Sequence, residues 1–240
     1  MDPARIAELL RPFLPQANDQ RLTANDGLYQ SISTYIDILL RWNARINLTA
    51  IRDPDEIVTR HFGESLFTAR HLFPARPAVG TPSSAALVQS ATGVKTPAIN
   101  RPRLADVGSG AGFPGIPIKL WNPRIQLTLI EANHKKATFL REAARTLTLT
   151  DIDIFNGRAE DLAASQARFE VVTLRAVERF EDALRISAAL VIPGGRLALL
   201  TGSSQQAAAA RLLPSYRWGQ PLPIPLSHSR TLMLGNSPEV

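Results

Sequence analysis

"RLADVGSGAGFPGIPIKL", residues 103–120, decides the fold. An apolar run, "RLADV", passes straight into four glycines within eight residues, Gly108, Gly110, Gly112 and Gly115. Such a turn after a strand marks the first unit of a doubly wound sheet, where ligands lie beyond the carboxyl ends of the strands. Gly108, Gly110 and Gly112 let the backbone turn tightly and approach a ligand with no Cβ in the way. Downstream, the apolar runs "QLTLIEA", "DIDIFN", "FEVVTLRAV" and "GRLALLTG" alternate with helical stretches such as "KKATFLREAARTL" and "RFEDALRISAALV". This βαβ series predicts an α/β fold with a twisted, mostly parallel sheet covered by helices on both faces. "YRWGQPLPIPL" and "RTLMLG" read as two closing strands, an antiparallel C-terminal edge pair.

The register of the glycines separates two cofactor classes. "GAGFPG", residues 110–115, literally matches the G-x-G-x-x-G of dinucleotide-binding proteins. That motif should begin where the strand ends, and here the strand ends at "DVGSGAG". In that frame position 113 is Phe, where a third glycine is wanted. Asp106 followed by G-x-G-x-G is instead the first-strand signature of S-adenosylmethionine-dependent methyltransferases, a Rossmann-like class I sheet. Asp106, at the strand end, is placed to orient a cationic or hydroxyl group. Glu131 in "TLIEAN" follows about 20 residues later, the spacing expected of a ribose hydroxyl acceptor; an exposed acid at a helix start is the plainer alternative.

Upstream lie three helical patterns. "PARIAELLRPFL" is short and amphipathic, and "NDGLYQSISTYIDILLRWN" places Leu28, Ile32, Tyr35, Ile36, Leu39 and Leu40 near helical spacing. "DPDEIVTRHFGESLFTARHL" opens with Asp53 as cap, Pro54 at the first helical position and Glu56 completing an Asp-x-x-Glu box. Residues 74–102 are dominated by Pro, Ser, Thr, Ala and Gly, the composition of a loop or linker. The expected organisation is an N-terminal helical cap (1–73), that linker (74–102) and a ligand-binding core (103–240).

Composition removes whole classes of chemistry. The 240-residue chain has no cysteine, so disulfides, thiolate metal sites and cysteine nucleophiles are excluded. His61, His71, His134 and His228 lack metal-ligand spacing, and no metal is expected. No apolar run reaches the roughly 18 residues of a membrane span, and the N-terminus lacks a basic n-region, so a cytoplasmic protein with no membrane partner is expected. Net charge is +6, and only four of the 27 Lys and Arg residues are lysines. A basic, arginine-rich balance favours an anionic partner, because the guanidinium fork bonds phosphate and guanine bidentately.

"WNARINLTAIRDPDEIVTRHF", "DVGSGAGFPGIPIKL", "LIEANHKKATFLRE", "GRAED" and "LRAV" together resemble the RsmG family, also called glucose-inhibited division protein B. The likeness runs from about Leu28 to Leu234 apart from the linker. It implies a class I methyltransferase with an N-terminal helical extension that methylates N7 of a guanine in 16S ribosomal RNA, as naked RNA or in a small-subunit particle. By position, the family's S-adenosylmethionine contacts fall on Gly108 and Phe113, on Glu131, Ala132 and Asn133, on Ala159 and Glu160, and on Arg175. Glu160 would stand beside the adenine. Arg175 is the expected catalytic position, at the crevice where cofactor and base meet. The chain departs from the family at Gly63 and Glu64, where Leu and Asp are usual, at Thr201, where a lysine is frequent, and in its long insertion. A glycine within a helix costs about 1 kcal/mol, so a kink at Gly63 is expected.

Guanine N7 has a lone pair and no proton, so its methylation needs no general base, and proximity and orientation should carry the reaction. Phe113, Arg175 and Arg179 are candidates to stack on an unstacked base; Phe113 packing on the adenine or sheet, and Arg179 as a solvated arginine, are the plain alternatives. Phosphate contacts are expected from Arg41, Arg45, Arg52, Arg60 and His61 of the cap, with Lys135 and Lys136 as outer members. Trp42 and Asn47 read as structural, and Asn43 is left open. A monomer is expected. Two other functions are weighed: a nicotinamide-dependent oxidoreductase, and a non-catalytic RNA-binding protein on the same scaffold.

Overall fold

The computed structural model describes residues 1–14, 26–74 and 101–239. Most of the expected linker, residues 75–100, therefore lies outside the described residues. The first helix, Pro3–Leu10, starts where Asp2 accepts a hydrogen bond from the Ala4 N–H at 3.0 Å, with proline at the first helical position. It ends before Pro12, earlier than the pattern "PARIAELLRPFL" suggests, because proline lacks the N–H that a continuing helix needs. The second, Asp26–Asn43, buries Leu28, Ile32, Tyr35, Ile36 and Leu39 of the predicted stripe and half-buries Leu40.

The third pattern is interrupted. Asp53 caps as expected, accepting from the Glu56 N–H at 2.8 Å. Helical turns at Pro54–Ile57 and Glu64–Leu72 then flank a π-helical segment, Val58–Gly63. Gly63 has an ordinary helical φ of −56°. A Cβ there would sit 2.6 Å from Phe13 Cε2. The glycine expected to kink the helix instead makes room for Phe13, and the distortion is a π segment of the kind that recurs at functional sites.

Among the described residues the sheet has eight strands: β1 (Arg103–Val107), β2 (Gln126–Ile130), β3 (Ile152–Phe155), β4 (Phe169–Arg175), β5 (Val191–Thr201), β6 (Arg217–Trp218), β7 (Leu222–Pro223) and β8 (Thr231–Asn236). Their order is β3-β2-β1-β4-β5-β8-β6, with β7 also paired to β8. The β1–β2, β2–β3, β1–β4 and β4–β5 pairs are parallel, and all pairs to β8 are antiparallel. The expected closing pair is thus three strands, with "RTLMLG" inserted beside β5 and "YRWGQPLPIPL" broken at Gly219–Pro221. Proline cannot donate to a ladder, which holds these pieces to two residues each.

One face of the sheet carries the N-terminal helices together with helices Gly115–Trp121 and His134–Thr146 in a single apolar cluster. The other carries helices Ala159–Ala164, Phe180–Leu190 and Ser203–Leu212. The strand order reverses between β1 and β4, and the crevice of a doubly wound sheet opens at such a switch point.

Candidate active site

A cleft of about 420 Å³ opens at that switch point, between the carboxyl ends of β1 and β4. This lies within the roughly 300–1,000 Å³ usual for small-molecule sites. Val107 and Gly108 form one wall and Ala176 and Val177 the other. Gly108, Gly110 and Gly112 have φ of +69°, +56° and +79°, the left-handed region that the turn demands. The N–H groups of Gly108 and Ser109 both donate to the Ile130 carbonyl at 3.0 Å, which ties the turn to β2. A Cβ on Gly108 would lie 3.1 Å from Val177 Cγ1, so a side chain there would intrude between the two walls.

Glu131 lines the cleft and also builds it. Its carboxylate accepts from the Gly110 N–H at 2.8 Å and the Asn133 N–H at 2.7 Å, one on each oxygen. Each oxygen keeps a lone pair for a further donor. Ala132, Ala159 and Glu160 also face the cleft, as do Lys136 and Arg179. Gly108, Glu131, Ala132, Ala159 and Glu160 of the expected cofactor set therefore meet in one place.

The remaining members of that set lie outside the lining. Asp106 is buried beneath the turn. It accepts from the Gly115 N–H at 3.1 Å and from the Thr173 hydroxyl at 2.7 Å. The hydroxyl it orients is thus Thr173's, and the arrangement joins β1 to β4 and to a helix N-terminus, where a carboxylate is favoured. Burial, countered by Thr173 and Gly115, raises its pKa from 3.8 to about 6. Asn133 caps helix His134–Thr146, accepting from the Lys135 and Lys136 N–H groups. Phe113 is 5% exposed, stacked on Tyr35 and on His61, with the His61 ring centroid at 4.7 Å. Its ring is held in the helical layer.

Arg175 ends β4 and turns toward the π segment. Its Nη2 donates to the Arg60 carbonyl at 2.9 Å, to His61 Nδ1 at 3.2 Å and to Glu64 Oε2 at 3.1 Å. Because arginine only donates, His61 Nδ1 is the acceptor, and its Nε2–H donates to Thr49 Oγ1 at 2.8 Å. His61 is neutral: burial, then Arg175, Arg60 and Arg230, lowers its pKa from 6.5 to about 3. Thr49 sits on a turn that Asn43 organises, accepting from the Leu48 and Thr49 N–H groups and donating to the Thr49 carbonyl. Asn43 is therefore structural, and so is Trp42, packed edge-on against Phe139. Arg41, Arg45, Arg52 and Lys135 are exposed. Arg60 is tied to Glu56 and Glu64.

Glu64 stands out in the sequence only as a departure from the family pattern, with no role attached. Arg230 and Thr173 carry no signal there, because their partners come from distant segments.

The two perturbed groups oppose one another in acid. His61, with its folded pKa depressed, contributes stability that is lost as pH falls below 6.5. Asp106, with its folded pKa raised, contributes stability that is present at low pH and lost as pH rises through about 6. Relative to the parent protein, Asp106→Asn is therefore expected to lose about 1.4 kcal/mol per pH unit between pH 6 and 4, and His61→Gln to gain as pH falls. Urea unfolding at each pH reads both, and curves parallel to the parent's would refute the assignment of these titrations.

Residues 28–81 and 83–217 match the family model described as rRNA small subunit methyltransferase G. The Ribosomal RNA small subunit methyltransferase G of Xanthomonas axonopodis pv. citri (strain 306) is 35% identical over 193 residues, 80% of this chain and 78% of that one. The protein of the same name from Chloroflexus aggregans is 36% identical over 191 residues, 77% of this chain and 70% of the relative. Among solved structures, TrmN from Thermus thermophilus superposes with a TM-score of 0.50 at 20% identity, over 75% of this chain and 53% of that one, a likeness of fold alone.

Proposed function

Because the chain belongs to the rRNA small subunit methyltransferase G family, we propose that it transfers a methyl group from S-adenosylmethionine to N7 of a guanine in 16S ribosomal RNA. The observation that carries this reading is the cleft at the β1–β4 switch point, where the glycine turn and Glu131 meet in a single hydrogen-bonded unit.

The residues present suit that donor. Glu131 offers a spare lone pair on each oxygen for the ribose hydroxyls, and Glu160, which also lines the cleft, is available to the adenine edge. Gly108 leaves open the space that a Cβ would take from the groove. Asp106, Gly110, Gly112 and Asn133 act one step back, holding the turn and the helix start to which Glu131 is bonded. Phe113 and Arg175 act from the helical side, fixing the turn and the end of β4. When bound, the donor supplies a methyl group on a sulfonium, already an activated leaving group. The protein's own task is then to orient the cleft and the base in line and to exclude water. N7 has no proton to remove, so no side chain is assigned as a base. Arg175 is a positioning residue on this geometry, since its Nη2 is engaged by Arg60, His61 and Glu64.

Residues 1–73 serve as the RNA-facing cap and residues 103–240 as the donor-binding core. Arg41, Arg45 and Arg52, exposed on the cap, supply sequence-independent phosphate contacts, while Lys136 and Arg179 stand at the cleft mouth. Such a substrate places the activity in the cytoplasm.

The deciding experiment is mass mapping of methylated guanines in 16S rRNA from cells with and without the gene. One 7-methylguanine should disappear and return on complementation; an unchanged map overturns the proposal. Beside it, Arg52→Ala should make the log–log salt dependence of rRNA binding shallower by roughly 0.7–0.9.

A further inference from the structure

Next to the cleft, on the same edge of the sheet, three arginines converge on one acid. Glu64 is 1% exposed and lies within ion-pair distance of Arg175 (3.1 Å), Arg230 (2.6 Å) and Arg60 (3.5 Å). The three cations come from separate elements: the end of β4, the residue before β8, and the π segment. Glu56, at the rim, pairs with Arg60 at 3.3 Å, and His61 is neutral. Three positive charges thus face two negative ones, and a buried carboxylate cannot satisfy three forks.

The geometry shows which fork is left over. Arg175 is 15% exposed, and its Nη2 is taken up by the Arg60 carbonyl, His61 and Glu64. Arg60 and Arg230 are more open, at 39% and 27%. Their Nε groups are buried without a hydrogen-bond partner, and so is Glu64 Oε1, whose close contact with Arg230 is poorly aligned. Arg60 Nε lies 3.5 Å from Glu64 Oε1, so the one acid is shared rather than fully bonded, and the exposed parts of the Arg60 and Arg230 side chains are what an anion arriving from solvent would meet. Burial and the two neighbouring guanidiniums lower the Arg230 pKa, although Glu64 opposes them.

We infer that Arg60 and Arg230 form a clamp for a backbone phosphate of the RNA strand, beside the nucleotide whose base enters the cleft, with Glu64 and Arg175 setting the clamp's geometry. This rests on the RNA-methyltransferase reading above. The site adjoins the cleft through the chain itself, since Arg175 is followed directly by Ala176 and Val177 of its wall. Thr201, at the end of β5 and paired in register with Thr231, keeps a buried hydroxyl without a partner on the strand beside Arg230.

The test uses the full-length protein with unmodified 16S rRNA and small subunits. Arg230→Gln should raise KM for RNA about tenfold with little change in kcat, and should reduce the salt slope by roughly 0.7–0.9, one phosphate. S-adenosylmethionine affinity by calorimetry should stay within about twofold of the parent's. Arg230→Lys should recover most of the RNA affinity, because a phosphate accepts a point charge. Should Arg230→Gln fail to fold, Arg60→Gln, the more exposed member, is read in the same way. An unchanged KM and slope in folded variants overturns the clamp and leaves the functional reading intact. A loss of donor affinity with the slope unchanged overturns it in favour of the donor's carboxylate. A parent protein that neither binds nor methylates the RNA overturns the functional reading itself.

Discussion

Gly112→Ala is expected to cost the protein about 4 kcal/mol, a large share of the roughly 5–15 kcal/mol that holds a domain together. Two independent penalties meet at this residue. Its φ of +79° is strained for any L side chain by about 1–2 kcal/mol. The added Cβ would also land on Tyr35 Oη and 2.8 Å from Ile116 Cδ1, and overpacking of this kind costs about 1–3 kcal/mol. Tyr35 cannot step aside freely: its hydroxyl donates to the Ala111 carbonyl, and its ring stacks on Phe113 and Phe139. Gly110→Ala is the control. Its φ of +56° is similar, but the nearest atom to its Cβ would be the Gly108 carbonyl oxygen at 3.8 Å. It should pay only the conformational part, about 1–2 kcal/mol. Denaturant unfolding of both variants separates the two contributions, and equal losses would show that crowding against the helical cap is absent.

Glu131→Ala should weaken S-adenosylmethionine binding at least about 100-fold, near 2.7 kcal/mol. The carboxylate supports the site twice, bonding the Gly110 and Asn133 N–H groups while facing the cleft. Hydrogen bonds to a charged group are worth about 1.5–3 kcal/mol each, and the variant also leaves two backbone donors without their acceptor. Glu131→Gln should fall between, because an amide matches the shape but offers one acceptor oxygen and sets an NH2 against a backbone donor. Calorimetry of donor binding, with unfolding curves to confirm a folded protein, reads both. Parent-like affinity in the alanine variant would remove Glu131 from the donor site.

The mostly parallel sheet and the place of the cleft follow from local pattern. Strand runs, helical periodicity and a glycine turn in register with the first strand are properties of neighbouring residues, and Gly108 and Glu131 could be named from them, while Ala132, Ala159 and Glu160 came only from the family resemblance. The Asp53 cap was legible for the same reason: its hydrogen bond to Glu56 spans three residues. What tertiary structure alone decided are the contacts that close across long stretches of chain. Asp106 reads as a cleft residue because strand-end acids often are. It is instead enclosed by Thr173, 67 residues away. Phe113 reads as a stacking surface until Tyr35 and His61 are brought over it. Gly63 reads as a flaw in a helix until Phe13 fills the space beside it. Arg175 meets Glu64 at a separation of 111 residues, and Arg230 reaches the same carboxylate from the residue before the last strand. Periodicity reports which face of an element is buried. The partner that face meets is set by how the elements pack, and for an ionic group the partner decides whether its charge is spent within the fold or left for a ligand.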